Sequence, residues 1–443
     1  MFQLKYSHLS MTLVSGLLAF YSNSVNAAEA KDSNQEQLEL RQHVDRLQQD
    51  YQSQINALKK RLDKINQTKT SQTKTNSLAQ SSPLRIGLSG LFAAGGSSVD
   101  NAALANLHAG GHDPKQNGFT LQNVELSIAG TVDNYLDAQA NLIFLIDTKG
   151  ETVMELEEAF FTTRNLPGGL QIKAGQYYTE FGRQNKQHPH TWGFVDQPVI
   201  LSRFFGGDGL RSQGARISWL MPTDTYSELT LGMQNPKGET VTSFLNAAGE
   251  DIGGYTLTDR SARNSSDLLY SARWLSGIDL SDNLSMNVGI SGLWGPNASG
   301  LTTDTEILGA DLYLKWQSAY SQKGYPFVAW HSEFLQRRYE AGDVAREVLK
   351  DQGYFTQVLW GFKPGWVAGL RWEDAKAEGN TSTDTLRDNR QRLSPNLTWY
   401  TSEYSKVRLQ YNRDWAEHLA NKTADSVWLQ VEFSLGSHMA HTF

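Results

Sequence analysis

The sequence predicts an all-β transmembrane fold: a 16-stranded antiparallel β-barrel of the outer-membrane type, preceded by an N-terminal α-helical coiled coil. Three observations carry that expectation. From Leu84 onward, apolar residues alternate with polar or small ones in sixteen short segments. The connections between those segments are short and long by turns. Beyond the N-terminal leader, no apolar run approaches the roughly 20 residues of a membrane-spanning helix, whereas a spanning strand needs about 9–11.

The leader reads as an export signal. Lys5 supplies the positive start, Met11–Phe20 is an apolar stretch too short to cross a bilayer, and Val25-Asn26-Ala27 offers small residues for cleavage. Residues 1–27 are therefore expected to be a signal peptide. The chain has no cysteine. An exported protein of this size must then be held by packing and backbone hydrogen bonds, which closure of a large sheet supplies.

Residues 28–66 are expected to form a periplasmic coiled coil. Leu40, Val44, Leu47, Tyr51, Ile55, Leu58, Leu62 and Ile65 follow spacings of 4, 3, 4, 4, 3, 4 and 3, with one stutter between Tyr51 and Ile55. The remaining positions are mostly charged or amide residues. A seam this narrow, roughly 40 Å long as a helix, fits a partner helix better than a globular surface. Residues 67–82, rich in Thr, Ser, Gln and Lys, read as a flexible linker.

Residues 83–443 carry the barrel pattern. Clean alternation runs through Leu136, Ala138, Ala140, Leu142, Phe144 and Ile146, through Leu284, Met286, Val288 and Ile290, and through Val407, Leu409 and Tyr411. The connections 131–133, 165–168, 222–224, 363–365 and 402–403 are short, and Lys363-Pro364-Gly365 holds a turn dipeptide. Those at 96–117, 178–209, 235–266, 339–350 and 377–389 are long, as on the outer side of a bacterial barrel. Trp219, Trp274, Trp294, Trp316, Trp366, Trp399 and Tyr400 sit where interfacial girdles would lie. A water-soluble sandwich accounts for neither the loop asymmetry nor the leader.

If the apolar phase faces lipid, the opposite phase faces the lumen. That rule points Arg85, Lys173, Arg216, Arg273, Lys315, Arg371 and Arg408 inward, together with Glu125, Asp137, Glu228, Asp311, Glu373 and Glu432. Any one of these reads first as part of a structural ion pair. A barrel of sixteen strands leaves a water channel.

The stretch from Gly175 to Arg216 stands apart. A connection over 178–209 is too long to be passive, and Trp192, Phe194, Phe204 and Phe205 need something to pack against. We read it as the third loop, folded into the lumen to narrow it. Its candidate constriction or solute-binding residues are Arg183, Lys186, His188, His190, Asp196, Arg203 and Arg211. Arg183, Lys186, Arg203 and Arg211 face Glu180, Asp196 and Asp208, an excess of one positive charge that favours anions at the narrowest point. His188-Pro189-His190 has no third histidine or carboxylate at ligand spacing, so solvated histidines and no metal are expected. Acidification is then expected to add charge there.

Overall charge narrows the partners. The chain has 40 basic and 47 acidic residues, a net of −7. Residues 1–82 hold 10 and 7 of them, which leaves 30 and 40 in the barrel. An acidic chain has no general attraction for nucleic acid. No nucleophile elbow, phosphate loop or metalloprotease motif appears, so no catalytic residue and no cofactor is expected. The competing readings are an outer-membrane barrel enzyme such as a hydrolase, and a structural tether to the cell wall through the coil.

GQYYTEFGRQNKQHPHTWGFVDQPVILSRFFGGDGLRSQGARISWLMP, the closing SLGSHMAHTF and the N-terminal coil together resemble the phosphate-selective porin O/P family in its broad sense. The resemblance covers roughly residues 83–443, and the coil is similar to the periplasmic extension of some members. It implies a homotrimeric porin in contact with outer-membrane lipid and lipopolysaccharide. Phe443, after the alternating Val427, Leu429, Val431 and Phe433, resembles the signal read by the barrel-assembly machinery. Members specific for phosphate line the pore with an arginine ladder and a lysine cluster. Here the basic lumen positions are interspersed with carboxylates, and the implied solutes are small hydrophilic ones, phosphate or small carboxylates among them.

Overall fold

The computed structural model describes residues 84–147, 150–343, 346–378 and 384–436. The expected signal peptide, the coil at 28–66, the linker at 67–82 and Phe443 lie outside the described residues. The strands are β1 (Arg85–Ser97), β2 (Gly118–Thr131), β3 (Leu136–Ile146), β4 (Thr152–Thr163), β5 (Leu170–Tyr178), β6 (Arg211–Leu220) and β7 (Tyr226–Gln234). A two-residue pair follows, β8 (Asp251–Ile252) and β9 (Tyr255–Thr256). Then come β10 (Leu269–Ser281), β11 (Leu284–Pro296), β12 (Asp304–Gln322), β13 (Tyr325–Ala341) and β14 (Glu347–Lys363). The last four are β15 (Trp366–Glu378), β16 (Arg390–Ser402), β17 (Ser405–Ala416) and β18 (Thr423–Gly436).

All but β8 and β9 close into one antiparallel barrel of sixteen strands. β7 pairs with β10 past the small hairpin, and β1 closes onto β18 from Gly87 opposite Gly436 to Ser97 opposite Ser426. Closure leaves no strand edge open, so the ladder satisfies the wall's backbone without water. Every segment expected from the alternation is a strand. β12 and β14 run further: β12 reaches Gln322 across a register shift after Gln317, and β14 starts at Glu347, paired with Ala341 of β13.

The phase rule explains the two faces. In β18, Val427, Leu429 and Val431 are 42–48 % exposed, whereas Trp428, Gln430 and Glu432 between them are buried. Exposed Leu370, Leu397, Leu409, Trp360 and Trp399 continue the outer band. A belt this apolar is costly in water and suited to hydrocarbon. Among the described residues no helix is long and apolar enough to cross a membrane.

One end of the barrel has turns of a few residues. Pro364-Gly365 is one of them, with Gly365 at φ +80°, a conformation closed to most side chains. The other end carries the long loops L1 (98–117), L3 (179–210) and L4 (235–268). L1 contains α1 (Asn101–Leu107), capped by the Asp100 carboxylate, which accepts from the Ala103 amide at 2.9 Å. L3 contains α2 (Val199–Phe205).

Besides register shifts beside the short turns, two bulges lie further along the described strands. Between β1 and β2, Leu91 faces Asn123 and Phe92 faces Leu121, so Gln122 is the extra residue. Between β3 and β4, Asn141 faces Glu158 and Leu142 faces Leu156, so Glu157 is extra. A bulge puts neighbouring side chains on one face. Gln122 with Asn123, and Glu157 with Glu158, are accordingly all buried.

Candidate pore constriction

L3 enters the lumen because its sequence gives it an apolar face that has nowhere else to go. Phe181, Val199, Ile200, Leu201, Phe204, Phe205 and Leu210 are buried against Leu269, Leu293, Ile307, Leu335 and Phe355, inward-facing residues of the wall. Pro198 precedes α2, and Gly206 at φ +77° ends it, its amide donating to the Ser202 carbonyl at 3.0 Å. All seven residues of this helix are buried.

Polar tethers then fix L3 around the wall. The amides of Arg183 and Gln184 both donate to Glu333 Oε1 at 2.7 Å, and the Val199 amide donates to Glu373 at 2.6 Å. Arg408 donates to the carbonyls of Trp192 and Phe194 at 2.8 and 3.0 Å. Lys406 donates to the His190 carbonyl at 2.7 Å, and Asn396 to that of Gly193 at 2.9 Å. Gln122, turned inward by its bulge, donates to the Val195 carbonyl at 3.0 Å. L3 is therefore tied to the inner face of the wall at β2, β13, β15, β16 and β17.

Asp196 is the centre of this network. Its carboxylate meets Arg371 at 2.5 Å and Arg392 at 2.8 Å, and accepts from Gln410 at 2.8 Å and Asn412 at 3.1 Å. Burial alone would raise its pKa, but the two guanidiniums hold it well below the usual carboxylate range. Asp196 thus anchors the loop and does not face a solute. Glu373 was expected to point inward, but Arg392, Glu333, Gln410 and Asn412, which complete these anchors, were not singled out in the sequence. The only signal for them is a cluster of polar residues in the inward phase of β13 and β15 to β17.

Of the basic candidates, Arg183 and Lys186 line an open cavity of about 920 Å³ together with Lys173, Glu180, Arg216, Glu158 and Glu228. Arg183 lies over the Tyr313 ring, 3.8 Å from its centroid. Glu180 is held between Lys186 Nζ and Arg216 Nε, each at 3.3 Å, and these charges keep its carboxyl well below the usual range despite burial. Arg203 is buried elsewhere, donating to the Asp388 carbonyl at 2.6 Å. Arg211 opens β6 and is paired with Glu155. On the wall, Arg273 is locked to Asp311 at 2.7 Å, and Arg85 is exposed at the start of β1.

The histidines correct the sequence-based expectation. His188 and His190 are 4 % and 5 % exposed, not solvated. His188 lies 2.9 Å from Glu157, 3.1 Å from Glu158 and 3.4 Å from Glu125, and His190 lies 3.1 Å from Glu125. Burial lowers the His188 pKa, but Glu125 and Glu157 outweigh it and hold the ring's affinity for a proton well above the ordinary value. The expectation that acidification newly charges a free imidazole at position 188 therefore fails. The carboxylates come from β2 and β4, far away in sequence, where spacing along the loop could not reveal them.

A closed sixteen-stranded barrel with a long third loop seated in its lumen is the fold of an outer-membrane channel. The outer membrane channel DcaP of Acinetobacter baumannii matches with a TM-score of 0.53 at 12 % identity, over 80 % of this chain and 96 % of that one. OprB of Pseudomonas putida matches with a TM-score of 0.51 at 10 % identity, over 80 % and 94 %. At these identities the likeness is one of fold. No family model matches the chain. The chain belongs to the same family as an uncharacterized protein of Aquifex aeolicus (strain VF5), being 31 % identical to it over 361 residues, 75 % of this chain and 73 % of the relative.

Proposed function

We propose that this protein is an outer-membrane porin that passes small hydrophilic solutes, with a preference for anions. The observation that carries the reading is the floor of the 920 Å³ cavity under L3. Lys173, Arg183, Lys186 and Arg216 converge there with three carboxylates that are buried or half-buried, Glu158, Glu180 and Glu228, four bases against three acids. Glu158 is engaged by His188. The acids nearer the short turns, Asp224 and Asp279, are exposed, where water and salt screen them within about 8–10 Å. An ion approaching L3 meets an excess of fixed positive charge, although the barrel as a whole is acidic. Phosphate and small carboxylates belong to the class this floor would attract. The proposal includes a homotrimer, with residues 28–66 as a periplasmic coil after removal of residues 1–27.

The test is the reversal potential of the purified protein in a planar bilayer under asymmetric potassium chloride. The expected wild-type potential lies on the anion side. Replacing Arg183 and Lys186 together by Gln should move it toward cations while the barrel remains heat-modifiable on a gel. A protein that inserts and never conducts, or a double variant with an unchanged potential, would overturn the reading.

A further inference from the structure

We infer that the underside of L3 holds a divalent transition-metal ion, of the zinc class, between loop and wall. The convergent atoms are Glu125 Oε2 from β2, Glu157 Oε2 from β4 and His188 Nδ1 from L3, all within 4.8 Å of one another. His188 Nδ1 is 2.9 Å from Glu157 Oε2 and 3.4 Å from Glu125 Oε2. His190 Nδ1 lies 3.1 Å from the same Glu125 oxygen and offers a fourth donor. A tetrahedral ion with bonds of about 2.0–2.1 Å separates its ligand atoms by roughly 3.3 Å. The observed spacings bracket that value, so small movements suffice for binding. Two carboxylate oxygens and imidazole nitrogen suit zinc, cobalt or manganese better than a hard oxygen-only cation.

A second observation points the same way. Each ligand's other polar atom is already held. Ser127 Oγ donates to Glu125 Oε1 at 2.8 Å, and the Tyr178 hydroxyl donates to Glu157 Oε1 at 2.6 Å. His188 Nε2 faces Glu158 at 3.1 Å, and Asn141 donates to the same Glu158 oxygen at 3.2 Å. A proton on Nε2, given to Glu158, leaves the Nδ1 lone pair aimed between the two carboxylates. This is the outer-shell arrangement that fixes a metal-binding imidazole. Meanwhile Glu125 Oε2 and Glu157 Oε2, both fully buried, accept no hydrogen bond of good geometry among the described residues.

Charge balance favours the ion. Glu125, Glu157 and Glu158 are all buried, and Arg211, whose own partner is Glu155, comes no closer than 3.8 Å to Glu157. Buried carboxylates require nearby positive charge. A protonated His188 supplies part of it and a divalent ion supplies more, displacing that proton. The β4 bulge is what makes the site, since it turns both Glu157 and Glu158 inward. Bound there, the ion would staple L3 to β2 and β4, in addition to the Asp196 anchor.

The experiment measures metal content on the folded full-length protein in detergent, after chelation and then dialysis against Zn²⁺, with Co²⁺ absorption reporting the geometry. The expected result is one Zn²⁺ per chain and a Co²⁺ spectrum of a low-coordinate site with nitrogen and oxygen donors. His188→Ala, and separately Glu157→Gln, should weaken binding at least 100-fold. Glu158→Gln, which touches the imidazole but not the ion, should weaken it by about 10–100-fold. Folding of each variant is checked by heat-modifiable migration. If His188→Ala fails to fold, Glu158→Gln and His190→Ala decide instead. Wild-type protein that retains no metal, or binding unchanged in the folded variants, would overturn the site.

Discussion

Asp196→Asn isolates the anchor that holds L3 against the wall. The change keeps the side chain's size and one carbonyl oxygen, and removes the charge shared by Arg371 and Arg392. Removing one partner of a buried pair costs about 3–5 kcal/mol. The lower end applies here, because neither guanidinium is left bare. Arg371 keeps Glu373 at 2.7 Å and the Asp196 carbonyl at 2.9 Å, and Arg392 keeps Asp414 at 2.6 Å. A loss of about 3 kcal/mol raises local opening by roughly two orders of magnitude. That opening should be confined to residues 192–197, since α2 stays seated in its apolar cluster and the barrel ladder is untouched. Hydrogen exchange read by mass spectrometry should show protection of 192–197 falling about 100-fold, with β13 to β17 unchanged. Single-channel conductance should rise and become noisier. Unchanged protection at 192–197 would mean that Asp196 does not hold the loop. A loss spread across the strands would mean that it belongs to the folding core of the barrel.

Two further outcomes follow from the same geometry and from the chain's organisation. Asp113 of L1 accepts from the Gln197 amide at 2.8 Å, and burial, aided by the charge of Asp196, pushes its pKa up to about 6, against the smaller opposing effects of that hydrogen bond, Arg392 and Lys115. A carboxyl raised in the folded state stabilises the fold most below its unfolded pKa, near 4, and loses that contribution as pH rises through 6. The change is about 3 kcal/mol, and Asp113→Asn should flatten the slope of unfolding free energy between those two pH values. Deleting residues 28–82 should leave an inserted, heat-modifiable barrel and abolish higher oligomers on crosslinking. Failure of the truncated chain to insert would place the coil within the folding unit.

The barrel was legible because its rule is local. Alternation such as Val427, Leu429, Val431 recurs from strand to strand, and lipid on one side with water or L3 on the other enforces it. The length of L3 and its aromatic residues marked it as a connection that packs against something. The pairing of its charges was not legible. Arg183, Lys186, Arg203, Asp196 and Arg211 are neighbours in sequence, yet each meets a different partner: Glu333 of the wall through the Arg183 amide, Glu180 of L3 itself, the Asp388 carbonyl before β16, Arg371 with Arg392, and Glu155. Counting charges along the loop treats them as one group, whereas the fold distributes them to separate partners.

Departures from alternation were the hardest features to read, and they sit where the loop meets the wall. Strict period two would place only one of Glu157 and Glu158, and only one of Gln122 and Asn123, on the inner face. The bulges bring all four inward. Gln122 then holds the Val195 carbonyl, beside Asp196, while Glu157 and Glu158 surround His188. A register shift costs the ladder a regular pair and gains no lipid contact, so membrane insertion alone does not account for it. The two bulges flank β2 and β3, whereas Arg371 and Arg392 lie on β15 and β16. The loop is thus fixed at two places, by guanidiniums around Asp196 and by carboxylates around His188. Change at either place should alter permeation without unfolding the barrel.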